Sequence, residues 1–176
     1  VSVRAFIAVG SNIDAEQNVL AALTLLGRRQ RIVQISRFYW TPALGAGGSP
    51  DFLNGAVEIE TELEPLELKR LVLQPVEDEL GRKRCGDPNA PRTIDLDLVL
   101  HGETVRSDEE IVLPAPEILE RAFVALPLLE LDPDLVLPGS DRPLRELTSG
   151  LSSREMRPAE SLNARIPQTA HRRESE

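Results

Sequence analysis

Aromatic residues are scarce in this chain of 176 residues, only 3% of it. Proteins that read single-stranded RNA on a sheet set rings among basic residues on the middle strands. That pattern is missing, and the charge also opposes it: 20 Lys and Arg stand against 29 Asp and Glu, a formal net charge of -9. Nucleic-acid and membrane-surface binders are usually basic, so both classes are disfavoured. An anionic ligand here needs a local cluster of cations. Cysteine is nearly absent. Cys85 alone rules out an internal disulfide and fits a reducing compartment. No apolar run approaches the roughly 18 residues of a membrane span. No charged segment followed by an apolar stretch opens the chain, so no signal peptide is expected and the protein is expected in the cytoplasm. No G-x-x-x-x-G-K-[ST] stretch occurs, which excludes a P-loop.

What is present suits one domain with a real core: 41% hydrophobic and 28% charged residues. "VRAFIAVGSN" reads as a buried strand stopped by Gly10-Ser11-Asn12. "DAEQNVLAALTLLGRR" places Val19, Ala22, Leu23 and Leu26 at helical spacing, with Asp14 or Asn12 as N-cap and Gly27 as the end. "IVQISRFYW" alternates as a strand, and "TPALGAGGSPD" is a long loop. "FLNGAVEIET" alternates again, with Leu53, Val57 and Ile59 on one face and Phe52, Asn54 and Glu58 on the other. "EPLELKRLVLQPVEDELG" reads as a helix from Pro65 to Gly81, where Pro75 predicts a kink or break. A polar loop, the strand "TIDLDLVLHG" and a short helix around 117 to 130 follow. From 151 apolar residues thin out, so 1–150 is expected to form the domain and 151–176 a disordered tail. The order β-α-β-β-α-β with C-terminal helical additions is the ferredoxin-like α+β pattern, one antiparallel sheet with two helices on one face. Such a fold serves many functions.

The strand "TIDLDLVLHG" carries two acids in an apolar run. Alternation puts Ile94, Leu96, Leu98 and Leu100 on one face and Asp95 and Asp97 on the other, about 7 Å apart. Two like charges so placed repel unless a cation joins them. Oxygen ligands on a rigid strand suit Mg²⁺, which takes one or two carboxylates plus phosphate oxygens and water. A solvated polar face explains the pair equally well on strand pattern alone. Arg82, Lys83, Arg84 and Arg92 add a concentrated cationic segment beside it. Acids for a metal with guanidinium groups alongside form the kit for a polyphosphate.

At this point the chain resembles the 6-hydroxymethyl-7,8-dihydropterin pyrophosphokinase family, from about Ala5 to about Leu147. The likeness rests on "VGSN" (9–12), "TPALG" (41–45), "DFLN" (51–54), "ELGRKR" (79–84), "APRTIDLDLVLHG" (90–102) and "LPAPEILERAFVALPLLEL" (113–131), in order. It implies transfer of the β,γ-pyrophosphoryl group of ATP to the pterin hydroxymethyl oxygen, releasing AMP, in folate biosynthesis. It implies that Asp95 and Asp97 bind two Mg²⁺ ions and that Arg82 and Arg92 hold and stabilise the polyphosphate. Glu77, Arg84 and Arg121 match further ATP-side positions. Phe52 and Phe123 match two stacking positions for the pterin, and Asn54 offers an amide donor and acceptor to its edge. Thr41, Pro42 and Leu44 lie where the family's loop supplies backbone contacts.

Two departures stand out. Ala115 occupies the place of a family histidine that contacts ATP, and Pro88-Asn89 fall where many members carry an Arg-Trp pair. Weaker ATP binding and slower turnover are expected from the first. Three other readings remain open: a nucleotidyl or sugar transferase using the same acid pair, a ferredoxin-like binding module without activity, and a nucleic-acid-binding domain, the last opposed by charge. Nothing points to an extra interface, so a monomer is expected.

Overall fold

The computed structural model describes residues 1–43, 48–87 and 90–167. Strand β1 (Val3–Ser11) leads into helix α1 (Ala15–Arg29), then β2 (Arg31–Ile35), β3 (Tyr39–Thr41) and β4 (Phe52–Thr61). The next helical stretch has three parts: α2 (Pro65–Leu68), a π-helical turn (Lys69–Leu73) and α3 (Gln74–Glu79). Strand β5 (Asp95–His101) precedes a small hairpin, β6 (Arg106–Ser107) and β7 (Val112–Leu113). Helices α4 (Glu117–Glu120), α5 (Ala122–Leu131) and α6 (Leu144–Leu147) follow, then β8 (Arg157–Pro158) and α7 (Glu160–Asn163).

The sheet runs β5-β1-β4-β3-β8, and β2 also pairs with β4. All these pairings are antiparallel, as the ferredoxin-like pattern requires. The expected strand over "IVQISRFYW" divides because residues 36–38 leave the ladder. Ile35 opposes Val57 while Tyr39 opposes Asn54, so the incoming strand carries one residue too many. Ser36 bridges the gap: its backbone N–H donates to the Ala56 carbonyl at 2.9 Å, and its Oγ accepts from Ala56 N–H at 2.8 Å.

Helix α1 buries Val19, Ala22, Leu23 and Leu26, the predicted stripe, against one face of the sheet. It runs two residues past Gly27 to Arg29. Asp14 does sit at the N-cap, but in the left-handed region (φ 43°) and with no side-chain cap bond. Pro75 does interrupt the second helix: the turn before it takes π-type bonding, Gln74 N–H donating back to the Lys69 carbonyl. Proline cannot donate to Leu71, and the wider turn absorbs that loss.

Three expectations need correction. First, Leu100 does not share a face with Ile94, Leu96 and Leu98. Phe6 opposes Leu100 and Ile7 opposes Leu98, so Val99 is an extra residue and the strand flips there. Ile94, Leu96 and Leu98 join the core under α1 and α3, whereas Leu100 packs with Phe6 and Ala56 on the opposite face. Second, helices are not confined to one face of the sheet. Helices α4, α5 and α6 build a second core over the opposite face with Ile118, Val124, Leu128 and Leu144. Arg4 ties this layer down, donating to Glu58 Oε1 at 2.6 Å and to Asp132 Oδ2 at 3.0 Å. Third, residues 151–167 are part of the fold. Strand β8 extends the sheet beside β3, and Ala159, Leu162 and Ile166 are buried in the first core. The rest of the expected tail, 168–176, lies outside the described residues.

Candidate active site

The second helical layer covers only part of its sheet face. Over the rest lies a cavity of about 570 Å³, bounded by the sheet, the 108–112 hairpin tip and the 115–124 segment. Antiparallel register decides what faces it. Asp95 opposes Gly10, and Gly10 opposes Asn54; Asp97 opposes Ala8, and Ala8 opposes Ala56. The acid of the edge strand and the amide of β4 are therefore two strand spacings apart, about 10 Å, with only small residues between them.

That bare floor explains part of "VGSN". A Cβ on Gly10 would stand 3.0 Å from Asn54 Oδ1. Ser11 and Asn12 act on the other side. Ser11 Oγ donates to the Thr93 carbonyl at 2.6 Å. Asn12 Oδ1 accepts from Arg92 N–H at 2.8 Å, its own N–H donates to the Arg92 carbonyl at 3.1 Å, and its Nδ2 donates to the Pro50 carbonyl at 3.3 Å. Asn12 thus ties the Arg92 segment to Pro50, two residues before β4. Sequence reasoning treated these residues as a strand end and possible cap; their positioning role depends on contacts some 80 residues away.

Asp95 is gripped by two guanidinium groups. Arg92 Nη1 donates to Oδ2 at 2.8 Å and Arg82 Nη1 donates to Oδ1. Arg82 also donates to the Ile94 carbonyl at 2.8 Å and to Glu77 Oε1 at 3.2 Å, while its buried Nε finds no partner among the described residues. Glu77, 5% exposed, accepts from Leu96 N–H at 2.8 Å and from Arg84 Nη2 at 2.6 Å. Burial pushes its carboxyl above the usual value, opposed by the Leu96 N–H and the Arg82 charge. Glu77, Arg82 and Arg84 stand behind Asp95 and are not on the cavity wall.

Asp97 is exposed to the cavity and has no salt bridge among the described residues. Its carboxyl is pushed up to about 7, first by the loss of bulk water around it, then by the negative charges of Asp95 and Glu77, with Arg82 opposing. Among the described residues no group of three or more His, Cys, Asp or Glu side chains is placed to hold a metal. The chemistry of this donor set, two all-oxygen side chains in a cavity with room for phosphate and water, fits Mg²⁺.

At the other end Phe52, Asn54, Thr41, Pro42 and Phe123 line the same cavity. Asn54 Nδ2 donates to Thr41 Oγ1 at 2.7 Å, which leaves Oδ1 as the amide's acceptor. Arg92 lies over the Phe52 ring, 5.7 Å from its centroid. Phe123 serves both readings given to it, packing on the second core while lining the cavity. Arg121 sits in the extended break between α4 and α5 and also lines the wall, as does Ala115. Leu44 and Pro88-Asn89 lie outside the described residues.

Carboxylates and guanidinium groups share one cleft on a ferredoxin-like sheet, the equipment of proteins that handle a polyphosphate. Residues 6–133 match the family described as 7,8-dihydro-6-hydroxymethylpterin-pyrophosphokinase (HPPK). The chain is 39% identical over 144 residues to the 2-amino-4-hydroxy-6-hydroxymethyldihydropteridine pyrophosphokinase of Haemophilus influenzae, covering 78% of this chain and 87% of that one. It is 42% identical over 142 residues to the protein of the same name from Methylorubrum extorquens, covering 77% and 87%. A match of 38% over 156 residues to the folic acid synthesis protein fol1 of Schizosaccharomyces pombe covers 87% of this chain but 21% of that protein. The fold is shared with Plasmodium falciparum HPPK-DHPS (TM-score 0.65, 12% identity), over 85% of this chain and 42% of that one. The chain belongs to the HPPK family, and membership makes it an enzyme of the pyrophosphokinase class.

Proposed function

We propose that this chain transfers the β,γ-pyrophosphoryl group of ATP to the hydroxymethyl oxygen of 6-hydroxymethyl-7,8-dihydropterin, giving the pterin diphosphate and AMP in folate biosynthesis. One observation carries the reading: Asp95, Gly10 and Asn54 lie in line across three adjacent strands, facing one cavity. An acid suited to a phosphate-bound metal and an amide suited to a pterin edge are thereby set apart by a floor without bulk.

On the pterin side, Asn54 Oδ1 accepts from the ring's amino and amide N–H groups. Phe52 and Phe123 take the ring between them, and Thr41 and Pro42 supply loop backbone. On the ATP side, Asp95 and Asp97 would hold the two magnesium ions. Metal held there would supply neutralisation of developing charge and a more acidic attacking hydroxyl. Arg92 turns part of its hydrogen bonding from Asp95 to the phosphates, with Arg121 beside it on the wall, while Arg82, flanked by Glu77 and Arg84, stabilises their charge from behind Asp95. The hydroxymethyl oxygen attacks the β-phosphorus in line, and the bond from that phosphorus to the α,β-bridging oxygen breaks. AMP leaves with the bridging oxygen, and the hydroxyl proton passes to solvent. No side chain is assigned as general base; positioning and electrostatics do most of the work.

A monomer is the state proposed, and the exposed free thiol of Cys85 supports a cytoplasmic setting. No helix among the described residues is long and apolar enough to cross a membrane. Product analysis tests the reaction. With Mg-ATP and the hydroxymethyl pterin, AMP is the expected nucleotide product, and Asp97→Ala should abolish it. ADP would mean an ordinary kinase; free pyrophosphate would mean a nucleotidyl transferase. Binding of both ligands without AMP would mean an inactive binding module.

A further inference from the structure

Residues 157–166 lie beyond the 6–133 family match, yet they reach the strand that orders one end of the cavity. Phe38, just before β3, has both its backbone polar groups taken by this segment. Its N–H donates to Asn163 Oδ1 at 2.7 Å, and its carbonyl accepts from Asn163 Nδ2 at 3.0 Å and from Ala159 N–H at 2.9 Å. The Phe38 ring is fully buried under Gly55, so close that a Cβ there would stand 2.7 Å from ring carbons. Gly55 follows Asn54. From Phe38 the chain runs directly into Tyr39–Thr41, which pairs with Asn54–Phe52 and ends in the hydroxyl that holds the Asn54 amide. On the other side of β3, Trp40 pairs with Arg157, whose Nη2 reaches Asp51 Oδ2 at 2.6 Å, one residue before Phe52.

We propose that Arg157–Ile166 is a strap that sets the pterin end of the cavity, with Asn163 as its positioning residue acting through Phe38, β3 and Thr41 on Asn54. The inference rests on the pterin reading given above. Asn163 touches no substrate. It fixes where the Asn54 amide and the Phe52 ring stand relative to each other. The acid end of the cavity has anchors of its own, Ser11 on the Thr93 carbonyl and Arg82 and Glu77 behind Asp95, so the strap acts chiefly on the pterin.

The test is Asn163→Ala, with pterin binding followed by its fluorescence in the presence of a non-hydrolysable Mg-ATP analogue. Pterin affinity should fall about tenfold, the worth of one or two hydrogen bonds. Affinity for the nucleotide analogue alone should stay within about twofold, a split that general loosening of the fold would not produce. Arg157→Ala removes only an exposed ion pair and keeps the core, so it serves even where the first variant does not fold. It should weaken pterin by about two- to threefold at an unchanged melting temperature. No change in pterin affinity in either variant, or an equal loss for both ligands, overturns the strap. Wild-type protein that binds the nucleotide analogue but no pterin overturns the reading beneath it.

Discussion

Asp97 is the residue on which chemistry and stability meet. Its carboxyl, pushed from 3.8 to about 7, keeps a proton in the folded protein that the unfolded chain has already released. Folding is therefore penalised progressively as pH rises from about 4 to 7, and the full cost remains above 7. Asp97→Asn removes the charge. In metal-free protein at pH 8 it should raise stability by about 1 kcal/mol, less than the shift alone converts to because the group is open to water. At pH 4 the difference should vanish. Thermal melts at both values check this, and a variant that melts lower at pH 8 would contradict it. Ala115 supplies a second residue-scale prediction. It lines the cavity where relatives were expected to carry a histidine. Ala115→His should lower the KM for ATP by about fivefold, the worth of one hydrogen bond. Steady-state kinetics at saturating pterin measures it, and an unchanged KM would show that the missing imidazole is of no consequence here.

At the scale of elements, strand β1 does more than alternation predicts. Its small residues Ala8 and Gly10 form the floor, and Ser11 at its end with Asn12 just beyond hold the neighbouring segments. Gly10→Ala should push the Asn54 amide aside, raising the KM for pterin with little loss of stability, because the obstructing atom ends a side chain. Gly55→Ala meets the buried Phe38 ring instead and should cost about 1–3 kcal/mol, visible in denaturant melts. Equal melting behaviour of the two variants would refute this distinction. Much of the element scale was legible in the sequence. Alternation placed Asp95 and Asp97 on the face opposite Leu96 and Leu98, and placed Asn54 beside Phe52. The bulge at Val99 was not legible, since an extra residue in a ladder shows only against its partner strand. Nor were the roles of Ser11 and Asn12, which depend on where Thr93 and Arg92 come to rest.

On the scale of the whole molecule, a three-layer arrangement replaces the expected two. Helices α4 to α6 cover part of the face that carries Asp95 and Asp97, and the uncovered part becomes the cavity. Arg4, reaching both Glu58 and Asp132, and Glu130, accepting from Arg37 and Tyr39, pin α5 at its far end. Desolvation and the Glu130 charge push the Tyr39 hydroxyl up to about 12, so this contact survives across the working pH range. The segment after 151 looked disordered because its apolar residues are few. Ala159, Leu162 and Ile166 nonetheless recur at i, i+3 and i+7, a helical spacing too short to stand out beside charged neighbours. Leu162→Ala should cost about 2–4 kcal/mol, as for a core leucine. A melt indistinguishable from wild type would return these residues to the tail.

The central claim is that one cavity brings Mg-ATP and the hydroxymethyl pterin together for pyrophosphoryl transfer under control of the β5 acids. Position-specific phosphorus labelling tests it most directly. Label placed at the β- and γ-phosphates of ATP should both appear in the pterin product in equal amounts, with label at the α-phosphate recovered only in AMP, and Asp97→Ala should transfer neither. Label from the γ-position alone in the pterin, or α-label attached to it, would contradict the account.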